Sequence, residues 1–405
     1  MAKLTFAGAA GEVTGSRHIL HVGGKNILLD CGLFQGHRQD AENKNRNFLF
    51  KPGEIDAVVL SHAHLDHIGA LPRLVKQKFK GRIFCTPPTA QLVSVLLEDS
   101  ANIQESDARF YNKKHPQNPI EPLYKAEDIA PVEKLLTPFK CGEFFEPVPG
   151  VTARFIEAGH ILGSAQVELS WQEDRKERKL VYTGDLGRQN MPLLKDPQNP
   201  FAADTLIMES TYGNRLHEDI ANSLTDLKNV ILKTVKRGGK IFIPAFALGR
   251  VQEIAAALEE LHRRGDIGRI PVFVDSPLAG KTTKIFAQNT GELDEEFHKL
   301  ADVTDPFGHG WVKYVSEQAD SVRLNEMKVP AVIVSPSGMC EGGRILHHLR
   351  NNISNPRNTV ILVGYQAQGT LGKKIFDRAP SVKIYGHEVK VQAEIGVIEA
   401  FSAHG

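Results

Sequence analysis

The sequence predicts an α/β protein in two parts: a strand-rich first part to about residue 212, then a doubly wound second part. Three observations predict this. The chain has 405 residues, more than one ordinary core accommodates. Before residue 212, short apolar runs are punctuated by glycine turns, the signature of strands. After it, apolar runs alternate with stretches of helical periodicity, the signature of a parallel sheet. A composition of 41% hydrophobic and 24% charged residues excludes disordered and fibrous architectures.

The elements follow in order. SRHILHVGGKNILLD alternates apolar and polar residues around Gly23-Gly24, a hairpin signal. IDAVVLS reads as a buried strand and TAQLVSVLLEDSANIQES as a helix. Residues 104–122, polar and proline-bearing, predict a surface excursion. VTARFIEA is a strand, and VELSWQEDRKERKLVYTGD a second hairpin with a charged tip. In the second part, SLTDLKNVILKTVKR sets Leu224, Leu227, Val230 and Ile231 on one helical face. GGKIFIPAF, IPVFVDS, AVIVSPS and TVILVGY read as strands. LGRVQEIAAALEELHRR, a stretch from Pro277 and EGGRILHHLRNNI read as the helices between them. From about residue 381 the pattern returns to strands.

Charge and cysteine content narrow the function classes. Lys+Arg 49 against Asp+Glu 48 leaves a net charge of +1, so any nucleic acid would be bound by a local patch. Cys31, Cys85, Cys141 and Cys340 are far apart with no CxxC pair, which excludes a disulfide framework and a zinc ribbon. MAKLTFAGAAGEVTGS has no basic segment followed by an apolar one, so no signal peptide is expected. No apolar run approaches the roughly 20 residues of a membrane helix. The expectation is a soluble, cytoplasmic protein with no membrane partner.

The histidines carry the chemistry. His62-Ala-His64-Leu-Asp66-His67 follows the buried strand DAVVLS directly. Two histidines two apart in an extended segment can point to one side. Asp66 and His67 then turn into a helix and can serve a neighbouring point. Four ligand-type residues on so short an arc suit two adjacent metal ions better than one tetrahedral ion. His160 in AGHILGS and Asp185 in YTGDLG each follow an apolar strand beside glycines, and complete the set. Asp30 in ILLDCG is a further strand-end carboxylate, placed to orient a ligand histidine or brace the loop.

HAHLDH, GHILGS, TGDLG and LLDCG resemble the ordered motifs of the metallo-β-lactamase fold of binuclear zinc hydrolases. LIMESTYGNR, GKIFIPAFALGRVQEI, VDSPLAG, SPSGMCEGGRILHHL, VGYQAQGTLG and FSAHG are similar to its β-CASP, RNA-processing branch. That branch includes ribonuclease J, archaeal relatives and the endonuclease subunit of the cleavage and polyadenylation specificity factor. The resemblance implies an αββα hydrolase domain interrupted by a Rossmann-like β-CASP domain, with a catalytic cleft between them. The expected boundaries are 1–212 and 213–395, with a return to the hydrolase domain over 396–405.

The resemblance also implies roles. His62, His64, His160 and a bridging Asp185 match the ligands of one Zn2+, and Asp66, His67 and the same Asp185 those of a second. Asp66, Glu209 and His404 match catalytic positions, with Glu209 and His404 paired near the leaving group to pass a proton. The family carries a further ligand histidine in a VHGE-like segment. This sequence stops at Gly405, so the expectation is a truncated hydrolase domain, an incomplete second site and poor activity.

For the substrate, Ser335, Ser337, Gly338, Gly342 and Gly343 form a strand–loop–helix element expected to cradle a phosphate, with Arg344 adding charge. Arg250, Asp275 and Ser276 sit at corresponding strand-to-helix junctions. The remaining histidines (His18, His21, His37, His115, His217, His262, His298, His309, His347, His348, His387) read as surface or packing residues. The reading is thus a zinc-dependent ribonuclease, endonucleolytic and also 5′-exonucleolytic in scope, with RNA as substrate and a homodimer as the association considered. Two alternatives stay open: a non-catalytic RNA-binding partner of the same fold, and a small-molecule metallo-hydrolase.

Overall fold

The computed structural model describes residues 1–35, 38–200, 202–214, 222–301, 304–308, 310–398 and 404. His37, His217 and His309 lie outside the described residues, as does all of FSAHG except His404. The chain forms two compact units, 1–188 with 196–213, and 189–195 with 214–405.

The first unit is built on two sheets. One takes β1 (Lys3–Phe6), β2 (His18–Val22), β3 (Lys25–Leu29), β4 (Ala57–Val59), β5 (Arg82–Cys85) and β6 (Leu136–Pro138) in that order. The other takes β7 (Phe144–Val148), β8 (Val151–Glu157), β9 (Ala165–Glu173), β10 (Lys176–Tyr182) and β11 (Thr205–Ile207), ordered β11-β10-β9-β8-β7. Alternate residues of both sheets meet in one core: Leu20, Ile27, Val59 and Phe84 from the first pack with Phe155, Val167, Leu169 and Tyr182 from the second. Gly23 and Gly24 turn the first hairpin with φ of 58° and 75°, the left-handed pair that a two-residue turn requires. The second hairpin makes the same turn without glycine, at Asp174 and Arg175 with φ of 53° and 63°.

One expectation is corrected here. The helix that follows β5 spans Pro87–Lys114, so much of 104–122 is helical rather than a surface excursion. Thr86 caps its first turn by accepting from Thr89 N. Its last turns remain anchored because Gln104 Oε1 accepts from Leu123 N and Asn112 holds Ile120 through both amide atoms. The prolines of that segment, Pro116, Pro119 and Pro122, all lie beyond its end.

The second unit adds β12 (Ile241–Pro244), β13 (Val272–Val274), β14 (Val312–Tyr314), β15 (Val332–Ser335), β16 (Thr359–Leu362), a hairpin of β17 (Ser381–Ile384) and β18 (His387–Lys390), and β19 (Glu394–Val397). Six strands form a parallel sheet ordered β14-β13-β15-β12-β16-β19. Its residues alternate between two faces. Ile241, Ile243, Val332 and Val334 pack with the helices Ser223–Lys236 and Arg250–Arg263. Phe242, Ile333, Val360 and Leu362 pack with Ile345–Asn352 and Leu371–Phe376. Because β19 pairs with β16, the strand straddles the expected boundary at 395/396 and joins this sheet. Residues 189–195 also belong here, with Leu194 bridging to Leu293.

Candidate metal centre

The centre begins at strand ends. β4 runs out into Ser61-His62-Ala63-His64, and a short helix, Leu65–Ile68, starts at once. The backbone after β3 braces that turn. Cys31 N donates to His67 O (2.7 Å), Leu33 N to Leu65 O (2.9 Å), and Ala70 N to Cys31 O (2.9 Å). Gly32 lies so close that a Cβ there would sit 1.5 Å from Asp66 O. Gly187 likewise abuts the segment carrying His160, with a built Cβ 1.7 Å from Gly159 O. Glycine at these two points is a condition of the loops approaching each other.

His62, His64, His160 and Asp185 each offer one donor atom, and those atoms lie within 4.8 Å of one another. His64 Nδ1 is 3.1 Å from both His62 Nε2 and His160 Nε2. Asp185 Oδ2 is 3.6 Å from His62 Nε2 and 3.5 Å from His160 Nε2. A tetrahedral ion with arms of 2.0–2.1 Å has ligand–ligand edges of about 3.3 Å. Three imidazoles and a carboxylate therefore converge at the separations that such an ion sets.

The other oxygen of Asp185 faces elsewhere. Oδ1 is 3.2 Å from His67 Nε2, which is 3.9 Å from Asp66 Oδ2. His67 Nδ1 donates to Asp30 Oδ2 at 2.7 Å, which leaves Nε2 on the side of Asp66 and Asp185. Asp30 is fully enclosed and backed in turn: Ser61 N, Ser61 Oγ and Tyr182 OH all donate to it at 2.6–2.7 Å. Its φ of 58° is left-handed, held by those bonds. Since the Ser61 hydroxyl proton goes to Asp30, His62 Nδ1 donates to Ser61 Oγ (3.0 Å), and its Nε2 is left as a lone pair.

Electrostatics agree with a cation site. Burial holds the His62 imidazole well below its usual value, so it stays neutral. Burial also disfavours the His67 cation, but Asp185, Asp30 and Asp66 outweigh it and raise the group well above its ordinary value. Burial alone would raise the Asp185 carboxyl; His67 and His62 instead hold it well below the carboxylate range. The site is thus built for positive charge beside Asp185, and its donor set fits divalent metal.

Residues 18–244 match the Metallo-beta-lactamase superfamily and residues 251–375 the Beta-Casp domain. The chain is 38% identical over 98% of its length to a ribonuclease of Thermus thermophilus, covering 87% of that protein. This chain belongs to the β-CASP branch of the metallo-β-lactamase superfamily. An RNase J-like protein of Methanocaldococcus jannaschii is 32% identical, with 100% of this chain and 87% of that protein aligned. The transcription termination factor FttA of Methanosarcina mazei is 31% identical over 99% of this chain, which spans 63% of the factor's length. A solved protein of unknown function from Enterococcus faecalis shares the fold, with a TM-score of 0.54 at 12% identity over 99% of this chain and 88% of that one. Metal binding is a property of this superfamily's fold, and no helix here is long and apolar enough to cross a membrane among the described residues.

The other anticipated residues of this β-CASP protein sit as follows. Glu209 follows β11 and accepts from Leu186 N at 2.6 Å and from the Thr211 hydroxyl, which ties it to the residue after Asp185. His404 is half-buried in the second unit. The residues expected to bind phosphate have partners within their own unit. Arg344 Nη1 reaches Asp275 Oδ1 (2.7 Å) and Val315 O, and Nη2 reaches Ser316 O. Arg250 pairs with Glu253, both buried. Ser276 Oγ caps the helix Pro277–Gln288, and Ser335 Oγ donates to Asp275 O (3.1 Å). Ser337 Oγ accepts from Glu341 N and Gly342 N, and Gly338 packs against Phe246. His348, read as a surface or packing residue, is fully buried with Nε2 2.7 Å from Asp275 Oδ2. The sequence does not single out Tyr182 and Ser61, which donate to Asp30, or Ser16, which bonds the Tyr182 hydroxyl (2.8 Å); the tyrosine's place three residues before Asp185 is the available signal.

Proposed function

We propose that this chain is a metal-dependent ribonuclease that hydrolyses RNA phosphodiester bonds with two zinc ions, cutting internally and also from the 5′ end. The observation that carries the reading is the opposed pair of oxygens on Asp185, one toward His62 and His160, the other toward His67. When bound, two divalent cations supply a nucleophile at neutral pH and neutralise charge on the scissile phosphate. His62, His64, His160 and Asp185 would hold one, and Asp66, His67 and Asp185 the other. Asp30 keeps the His67 proton on Nδ1, and Ser61 keeps the His62 proton on Nδ1. Glu209 and His404 are proposed to deliver a proton to the leaving oxygen. The named ribonuclease and RNase J-like relatives support RNA as the substrate. The retained donor set favours catalysis over a purely RNA-binding partner.

One 5′-labelled RNA tests this. The chain loaded with zinc should convert the label both to shorter 5′ fragments, from internal cuts, and to mononucleotide, from cutting at the 5′ end, and a chelator should stop both. A Glu209→Gln variant should retain its metal and cut about 10²–10⁴-fold more slowly, the usual worth of general acid catalysis. A zinc-loaded chain that leaves RNA intact while hydrolysing a thioester or lactam would replace the reading with a small-molecule hydrolase.

A further inference from the structure

The parallel sheet of the second unit has a switch point. From β12 the chain crosses by the helix Arg250–Arg263 toward β13; from the neighbouring β15 it crosses by Ile345–Asn352 the other way, to β16. The two helices cover opposite faces. Open parallel sheets bind ligands outside the carboxyl ends of strands at such a point.

The polar groups of this crevice are engaged from within. Ser335, Ser337, Arg344 and Asp275 bond to one another or to neighbouring backbone. What the crevice presents outward is a ring. Phe246, two residues past β12, is 47% exposed although the strand before it is fully buried. It lies against Gly338 at the end of β15, where a Cβ would meet its Cδ2 and Cε2 at 2.9 Å. Gln366 Nε2 donates to Gly338 O (3.1 Å), tying in the loop after β16. The residue before it, Tyr365, is 51% exposed. Two half-exposed aromatic rings thus stand at the carboxyl ends of adjacent strands, beside the glycines Gly338 and Gly364.

We propose that Phe246 and Tyr365 form a base-stacking subsite for single-stranded RNA at this crevice. The assignment rests on the ribonuclease reading and deepens it. Flat rings set among glycines and polar loop residues suit a planar base, whereas a protein partner wants a contiguous apolar patch of several hundred Å². Stacking accepts every base, because each has a π-face.

The test is binding of a phosphorothioate oligouridylate, which resists hydrolysis, and of an abasic oligomer of equal length, followed by fluorescence anisotropy. The wild-type chain should bind the abasic oligomer roughly ten-fold more weakly or worse. Phe246→Leu and Tyr365→Leu should each weaken oligouridylate binding by a similar factor and bring the two ligands together. Phe246→Trp should keep the affinity, with its indole fluorescence quenched by oligouridylate and not by the abasic chain. Equal wild-type affinity for the two oligomers overturns the subsite even if a leucine variant fails to fold; cleavage of RNA by that same chain would leave the ribonuclease reading standing. A wild-type chain that neither binds nor cuts RNA overturns both.

Discussion

Asp185 concentrates the chemistry because its two oxygens serve two groups of donors. Asp185→Asn should therefore lose more zinc than His67→Ala, which removes a donor from one group only. Elemental analysis of the two variants checks this, and equal retention contradicts the shared role. Tyr182 acts at one remove. Its hydroxyl donates to Asp30 Oδ2 at 2.6 Å, and the same oxygen receives His67 Nδ1. Tyr182→Phe keeps the ring in the core and removes only that bond. It should lower the affinity of the His67 side by about 10-fold, the low end for outer supports of metal ligands, while the side held by three histidines is unchanged. A metal titration resolving the two binding steps reads the difference.

Among elements, the turn after β3 matters most. Gly32→Ala would drive a Cβ into Asp66 O, so the variant should lose metal and fold poorly. Gly24→Ala meets open space and costs only left-handed backbone strain, about 1 kcal/mol. Thermal unfolding of the pair should separate them clearly. In the second unit, burial pushes the Asp275 carboxyl up, but His348, Ser321 and Arg344 bond to it and hold it below the usual range. A depressed carboxyl stabilises the fold above its unfolded value near 3.9 and loses that contribution as pH falls through the folded value. Calorimetry between pH 6 and pH 3 should show a smaller drop in Tm for Asp275→Asn than for the wild type, from a lower starting point. The sequence showed most of this architecture, because hairpins and strand–helix alternation are local patterns. It hid the last turns of Pro87–Lys114, whose anchors lie on the following loop. At the site, ligand types at strand ends were legible as chemistry. Tyr182 was not, since its partner is 152 positions away and reached only when two sheets close on one core. Ser337 and Arg344 differ from both: serine, glycine and arginine at a strand–helix junction look alike whether they grip a ligand or, as in this structure, each other's neighbours.

For the whole molecule, an ion bound by the folded chain and not by the unfolded one adds RT ln(1 + [ion]/Kd) of stability, about 4 kcal/mol at a thousand-fold excess over Kd. A chelator should lower the Tm of the unit that holds the centre by several degrees, and re-addition of zinc should restore it. The thiols turn the same event into chemistry. Cys141 is exposed, whereas Cys31, Cys85 and Cys340 are buried, with each buried thiol pushed up to about 12 by its enclosure. Cys31 sits in the segment whose backbone grips His67 and Ala70. An alkylating reagent should thus add one label to the zinc-loaded chain, at Cys141, and reach Cys31 only when that grip opens, so that a second label counted by mass after chelation would time the loosening of the metal loop.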